Sequence, residues 1–286
     1  MVANIDVLTF HNVIVSLIDF SMKSGCLFTY PTPGDILDAC ENPPSIASMV
    51  IGGKKRPAPQ TGQMGLEYKL FETVSKGIDF SGLFCLTQSY RDEKEIIEGR
   101  HNIIFPMFEV ELLGDVEVMF SFIKNLLSAF GFPPPVELDY EYSCEQLNVD
   151  IIGAEEEQKL YEIYGPVIAL RNFPERSNPF WNMKRHDGKA KKIDILLYGV
   201  EVIGAAERET DPNTMFKKFF SIENGEYSKT LIDLFGGVET TTSLNKYLSN
   251  SGVSIVRSGF GIGITRFIKA LHKRYDEKTK QPENSL

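Results

Sequence analysis

The stretch "SYRDEKEIIEGRHNIIF", residues 89–105, packs four acids and three bases into its first thirteen positions. An apolar segment, "GLFCLTQ" (82–88), leads into it, and a second, "IIFPMFEVELLG" (103–114), leads out. The pattern predicts a strand, a charged loop and a second strand. Two residues apart on a strand, Arg91 and Glu93 share a face. Arginine offers a planar fork suited to phosphate, and glutamate accepts hydrogen bonds, for instance from an exocyclic amine. Arg100 and His101 stand just past the loop. Taken alone, the same pattern fits a surface hairpin laced with ion pairs.

Outward from there, residues 7–24 carry apolar groups at helical spacing and end at Gly25, which predicts a helix. "CLFTYPTP" (26–33) reads as a short strand stopped by prolines, and residues 42–63 as a loop around the apolar island "IASMVI". Helices are predicted over 64–76 and over 115–130, the second with Asp115 as N-cap. Residues 193–203 read as a strand pair or one bent strand, and 211–235 as largely helical. The unit 253–274 reads as strand, glycine-rich turn and helix, and the polar tail 276–286 as frayed. No linker divides the chain, so residues 1–286 are expected to form a single domain.

Two further stretches carry chemistry. In "SGFGIGITR" (258–266), Gly259, Gly261 and Gly263 alternate at a strand end and let a ligand approach the backbone, with Arg266 on the first turn beyond. The spacing is neither a Walker loop nor the dinucleotide fingerprint. In "DILLYGVEVIGAAERE" (194–209), Asp194 and Glu201 are hard oxygen donors at the two ends of a strand-like unit, able to hold Mg²⁺ beside phosphates, and Arg208 follows them.

Composition narrows the function. A net charge of -9 disfavours non-specific nucleic-acid binding, which needs Lys and Arg to displace counterions. Cys26, Cys40, Cys85 and Cys144 form no C-x-x-C pair, and with His11, His101, His186 and His272 they show no zinc-site spacing. There is no signal-peptide pattern and no run of membrane-spanning length, so a cytoplasmic location and no membrane partner are expected.

Taken in order, Arg-x-Glu with Arg-His, the acid-bearing strand ending in Glu-Arg and the glycine-rich turn with Arg resemble the class II aminoacyl-tRNA synthetase catalytic domain. The aspartyl, asparaginyl and lysyl subgroup is most similar, over roughly residues 10–275. The resemblance implies an α+β fold, an antiparallel sheet flanked by helices, without an anticodon-binding domain. It implies ATP and Mg²⁺ as cofactors and a homodimer built on the first motif, "CLFTYPTP", with Pro33 at the motif's proline. Arg91 would hold the α-phosphate and Glu93 the adenine amine. Arg100 and His101 would reach the outer phosphates, Phe105 would stack on adenine, and Gly261 and Gly263 would admit the nucleotide. Arg266 would contact the γ-phosphate, Asp194 and Glu201 would bind Mg²⁺, and Arg208 would grip a substrate carboxylate. Lys69 in "EYKLF" would meet the substrate side chain and Glu41 its ammonium. Leu66 stands where the family carries a glutamine three residues before that lysine, and Arg257 replaces a histidine beside the amino-acid pocket.

Free-standing relatives of this fold adenylate aspartate and let ammonia attack. The resemblance therefore implies an AMP-forming ligase acting on aspartate or a close analogue, with ammonia or another small amine as acceptor and asparagine or a related amide as product. With an acidic chain whose one dense basic stretch is "MKRHDGKAKK" (183–192), tRNA is an unlikely partner. The rival readings are a synthetase piece that charges a tRNA or carrier protein, and a nucleotide-binding regulator without catalysis.

Overall fold

The computed structural model describes residues 5–33, 35–40, 43–92 and 102–280. These run α1 (Val7–Lys23), β1 (Cys26–Phe28), β2 (Ser48–Ile51), β3 (Lys54–Pro57), α2 (Gln63–Ser75), β4 (Gly82–Tyr90), β5 (Ile104–Leu113), α3 (Val116–Ala129), β6 (Val136–Asp139), α4 (Tyr140–Leu147), α5 (Ala154–Tyr164), β7 (Val167–Pro174), β8 (Arg185–His186), β9 (Lys189–Leu197), β10 (Val200–Glu207), α6 (Pro212–Phe219), α7 (Glu226–Phe235), α8 (Gly237–Leu248), β11 (Arg257–Gly263) and α9 (Ile264–Lys280). Nine strands form one sheet in the order β1-β4-β5-β11-β10-β9-β7-β6, with β8 pairing β9. The central strands are antiparallel, as expected. Both ends differ, because β1 joins β4 and β6 joins β7 in parallel.

Local chemistry sets the helix ends. Asp6 accepts from Thr9 N at 2.8 Å and opens α1, and Asp115 accepts from Glu117 N and Val118 N and opens α3 as the sequence predicts. One expectation is corrected. The apolar island in the 42–63 loop is part of a β2–β3 hairpin, turned by Gly52 and Gly53 at φ 56° and 75°. Two consecutive left-handed residues make the hairpin turn that glycine tolerates best. Of the tail expected to fray, residues 276–280 belong to α9, and 281–286 lie outside the described residues. Among the described residues no helix is long and apolar enough to cross a membrane.

Strand alternation gives the sheet two unlike faces. Phe108, Val110 and Leu112 of β5 and Phe260 and Ile262 of β11 point to one side, into a core shared with α1, α3 and α9. Each such side chain stabilises the fold by roughly 1.5–3 kcal/mol. The residues between them, Met107, Glu109 and Glu111 on β5 and Gly259, Gly261 and Gly263 on β11, belong to the opposite face. A second apolar cluster, built from α2, α6, α7, α8 and Trp181, packs on part of that side. The uncovered remainder is the cavity.

Candidate active site

The cavity holds about 490 Å³, within the range of small-molecule sites. Its floor is the flat strip where Gly204 of β10 pairs with Gly261 of β11. Arg91, Phe105, Glu201, Arg208, Gly261, Gly263 and Arg266 all line it. The sequence places these residues in three separate motifs, and the sheet brings them together. Glu41, Glu93, Arg100 and His101 lie outside the described residues.

At one end, the Arg91 guanidinium sits 5.2 Å over the Phe105 ring. Arg266, on the first turn of α9, donates from Nη1 to the Glu201 carbonyl at 2.8 Å, which ties α9 to β10. Of the two readings of residues 193–203, a strand pair or one bent strand, the structure has the pair, with Asp194 on β9 and Glu201 on β10. They sit on paired strands, and Asp194 lies opposite Gly204. A Cβ at Gly204 would come 3.2 Å from Glu201 Oε1 and 3.8 Å from Asp194 Oδ1, so the two carboxylates converge on a notch that any side chain there would fill. Asp194 Oδ1 is buried without a hydrogen-bond partner. An orphaned carboxylate oxygen beside a second carboxylate over a cradle suits a hard divalent cation. No group of three or more His, Cys, Asp or Glu among the described residues could hold a metal, which leaves phosphate and water oxygens to complete any shell. Lys192, two residues earlier on β9, donates to Asp194 Oδ2. Burial pushes the Asp194 carboxyl up to about 7, with Lys192 opposing and Glu201 adding to the rise.

At the other end, Arg208 makes a two-pronged pair with Glu111, Nε to Oε1 at 3.1 Å and Nη2 to Oε2 at 3.0 Å. Gly259 makes room for it, because a Cβ there would lie 1.9 Å from Glu111 Oε2 and 2.7 Å from Arg208 Nη2. Burial pushes the Glu111 carboxyl up to about 7 even against Arg208. Glu109 accepts from Thr61 Oγ1, Thr87 Oγ1 and the Gly62 amide, and burial raises its pKa too.

Two substrate-binding calls are corrected. Lys69 does not line the cavity. It pairs with Glu72 at 3.0 Å on the outer face of α2, its side chain 43% exposed. Gln63 and Leu66 are the α2 residues on the cavity wall. Helical periodicity explains the difference: positions 63, 66, 67 and 70 share a side, and 69 falls off it. Arg257 also points away. It is fully buried against Glu67 and Tyr247, and it donates to Glu67, the Tyr247 hydroxyl and the carbonyls of Val253 and Ile255. Burial pushes the Glu67 carboxyl up, but Arg257 and Arg208 more than offset this and hold it below the usual range.

Glu109, Glu111, Gln63 and Lys192 were not singled out from sequence. The Glu-Val-Glu alternation at 109–111 was the available signal, since on a strand it puts both acids on the face opposite Val110.

The family model for class II tRNA synthetases of the D, K and N type matches residues 137–276, from β6 into α9. A stretch of 94 residues is 28% identical to the aspartate–tRNA(Asp) ligase of Pyrobaculum aerophilum, covering 30% of this chain and 21% of that protein. Among solved structures, asparaginyl-tRNA synthetase from Pyrococcus horikoshii complexed with asparaginyl-adenylate superposes with a TM-score of 0.72 at 19% identity, over 93% of this chain and 64% of that one. The Entamoeba histolytica asparaginyl-tRNA synthetase with asparaginyl-adenylate gives 0.69 at 15%, over 93% and 63%. A putative aspartyl-tRNA synthetase from Leishmania major gives 0.65 at 16%, over 92% and 61%. At these identities the likeness shows the fold, and the chain spans less than two thirds of each relative's length.

Proposed function

We propose that the protein is an AMP-forming ligase that activates aspartate or a close analogue and passes the acyl group to ammonia or another small amine, a reading supported by the match of residues 137–276 to the class II tRNA synthetase family model and by the shared fold. The observation that carries this reading is the convergence of Arg91, Arg208, Arg266 and Glu201 on one cavity, with Asp194 beside Glu201 over Gly204. In the first step a carboxylate oxygen of the amino acid bonds to the α-phosphorus of ATP and pyrophosphate leaves. In the second an amine nitrogen bonds to the acyl carbon, AMP leaves, and the amine gives up a proton. Arg91 and Arg266 stabilise charge on the phosphates, and holding the carboxylate in line supplies much of the rate. Mg²⁺ at Asp194 and Glu201 would supply further charge neutralisation. No protein nucleophile is needed.

A small acceptor is favoured over tRNA by the one dense basic stretch. In the β8–β9 hairpin Arg185 pairs with Glu175, Lys189 with Asp139, Lys191 with Glu207 and Lys192 with Asp194, and Lys184 just before it pairs with Glu209. These cations are neutralised within the fold, and neutralised cations are poor counterions for a phosphate backbone. Incubation with ATP, aspartate and isotopically labelled ammonium tests the reading: AMP and labelled asparagine in equal amounts support it, and AMP without a labelled amide overturns the choice of acceptor.

The Arg208–Glu111 pair gives a pH dependence. Ionised Glu111 occupies the guanidinium fork, and protonated Glu111 releases it. Because the Glu111 carboxyl is pushed up to about 7, aspartate binding is expected to weaken about tenfold from about pH 6 to about pH 8. Calorimetric titration of aspartate across that range checks it, and Glu111→Gln is expected to flatten the profile.

A homodimer is proposed on the α1–β1 edge. Leu8, Val15 and Met22 of α1 and Leu27 and Phe28 of β1 are exposed, and β1 is an edge strand. Apolar surface beside an open edge marks an association site. Sedimentation velocity is expected to show twice the chain mass for the wild type and the single chain mass for Phe28→Glu.

A further inference from the structure

We propose that Lys192 is a built-in counter-cation of the Asp194–Glu201 pair, which keeps the free protein from capturing a divalent ion and adds positive charge where the ion arrives together with the nucleotide. The inference rests on reading those two carboxylates as the divalent-ion site. Lys192 and Asp194 share the cavity face of β9, and the ammonium is bonded to Asp194 Oδ2. Its side chain is 20% exposed and that of Asp194 9%. The ammonium also lies 3.8 Å from the centre of the Phe173 ring, whose face attracts a cation, so two contacts fix it in place.

The division of labour at Asp194 follows from the geometry. Lys192 takes Oδ2, while Oδ1, which has no partner, faces the notch over Gly204 that Glu201 Oε1 also borders. A divalent ion can therefore bind Oδ1 and Glu201 without expelling the lysine. What the lysine changes is charge. Two carboxylates alone present two negative charges to an incoming cation, and with Lys192 they present one. In a pocket largely shielded from water that difference is strongly felt by a bare ion. An ion already carrying triphosphate brings negative charge of its own, and for that complex the lysine is attractive. Lys192 is thus a positioning residue that favours metal–nucleotide over metal alone. It also lines the cavity with Arg266, within which the phosphates are placed.

Metal binding, without turnover, tests this. Mn²⁺ is titrated into nucleotide-free protein and followed by electron paramagnetic resonance, and its complex with a non-hydrolysable ATP analogue is then titrated calorimetrically. Lys192→Met keeps an unbranched side chain of similar length and removes the charge. It is expected to bind Mn²⁺ alone at least about tenfold more tightly than the wild type and the Mn²⁺–nucleotide complex more weakly. Lys192→Arg, which keeps the charge, is expected to stay within about twofold of the wild type for Mn²⁺ alone. Unchanged or weaker binding of Mn²⁺ alone by Lys192→Met, with Asp194→Asn abolishing it, overturns the role of Lys192 and leaves the metal site standing. Mn²⁺ binding indifferent to Asp194→Asn overturns the metal site and the proposal with it.

Discussion

Replacing Arg257 by methionine is expected to destabilise the protein by about 3–5 kcal/mol, enough to shift its urea midpoint far below that of the wild type. The change leaves Glu67 charged and fully buried, with its main counterion gone. The loss is a large share of the roughly 5–15 kcal/mol that holds a domain folded. Glu67 keeps donors from Gln63, Asn182 and Tyr247, and these do not compensate a full charge. The double variant Arg257→Met with Glu67→Gln is therefore expected to recover part of the loss, because an amide carries no charge to strand. Equal loss in the single and double variants would show that packing of the guanidinium, and not its charge, is what matters. Because Gln63 both lines the cavity and donates to Glu67 at 2.9 Å, the same network fixes that part of the cavity wall.

The second large effect is catalytic. Arg266→Ala is expected to lower kcat/KM for ATP by about 10²–10³ while leaving stability close to that of the wild type. The side chain is partly exposed at the cavity and donates to the Glu201 carbonyl. On the proposed reading, its loss removes a preorganised cation that would face the phosphates. Arg266→Lys is expected to recover only part of the rate, since an ammonium keeps the charge but not the planar fork. Steady-state kinetics with amino acid saturating separates the two variants, and a fall in thermal midpoint for Arg266→Ala would point to a structural role instead.

How far the sequence reached depended on the range of the interactions involved. The alternation of glycine with Phe260 and Ile262 was legible because a strand has a period of two, and the structure shows what the glycines accommodate, the Glu111–Arg208 pair over Gly259 and Met107 over Gly261. The capping Asp115 and the α1 and α3 spans were legible because caps and helical periodicity are local events, whereas the Asp6 cap of α1 was not read from sequence. The β2–β3 hairpin was hidden because Val50 and Ile51 are exposed and no buried alternation marks them. Lys69 was assigned by likeness to a short segment, although helical periodicity already placed 63, 66, 67 and 70 together. Arg257 was misplaced for a different reason. Its partner lies 190 residues away, and no local pattern reports a contact of that length. Lys192 was seen as one charge in a basic run, although Asp194 follows it two residues on along β9, and the pairing of β9 with β10 brings Glu201 beside both.

Amino-acid-dependent exchange of labelled pyrophosphate into ATP tests the central claim most directly, because it reports adenylate formation before any acceptor is needed. Exchange that requires Mg²⁺ together with aspartate or its close analogue, and requires neither ammonia nor tRNA, is the expected result. ATP binding without exchange for any of the standard amino acids would contradict it.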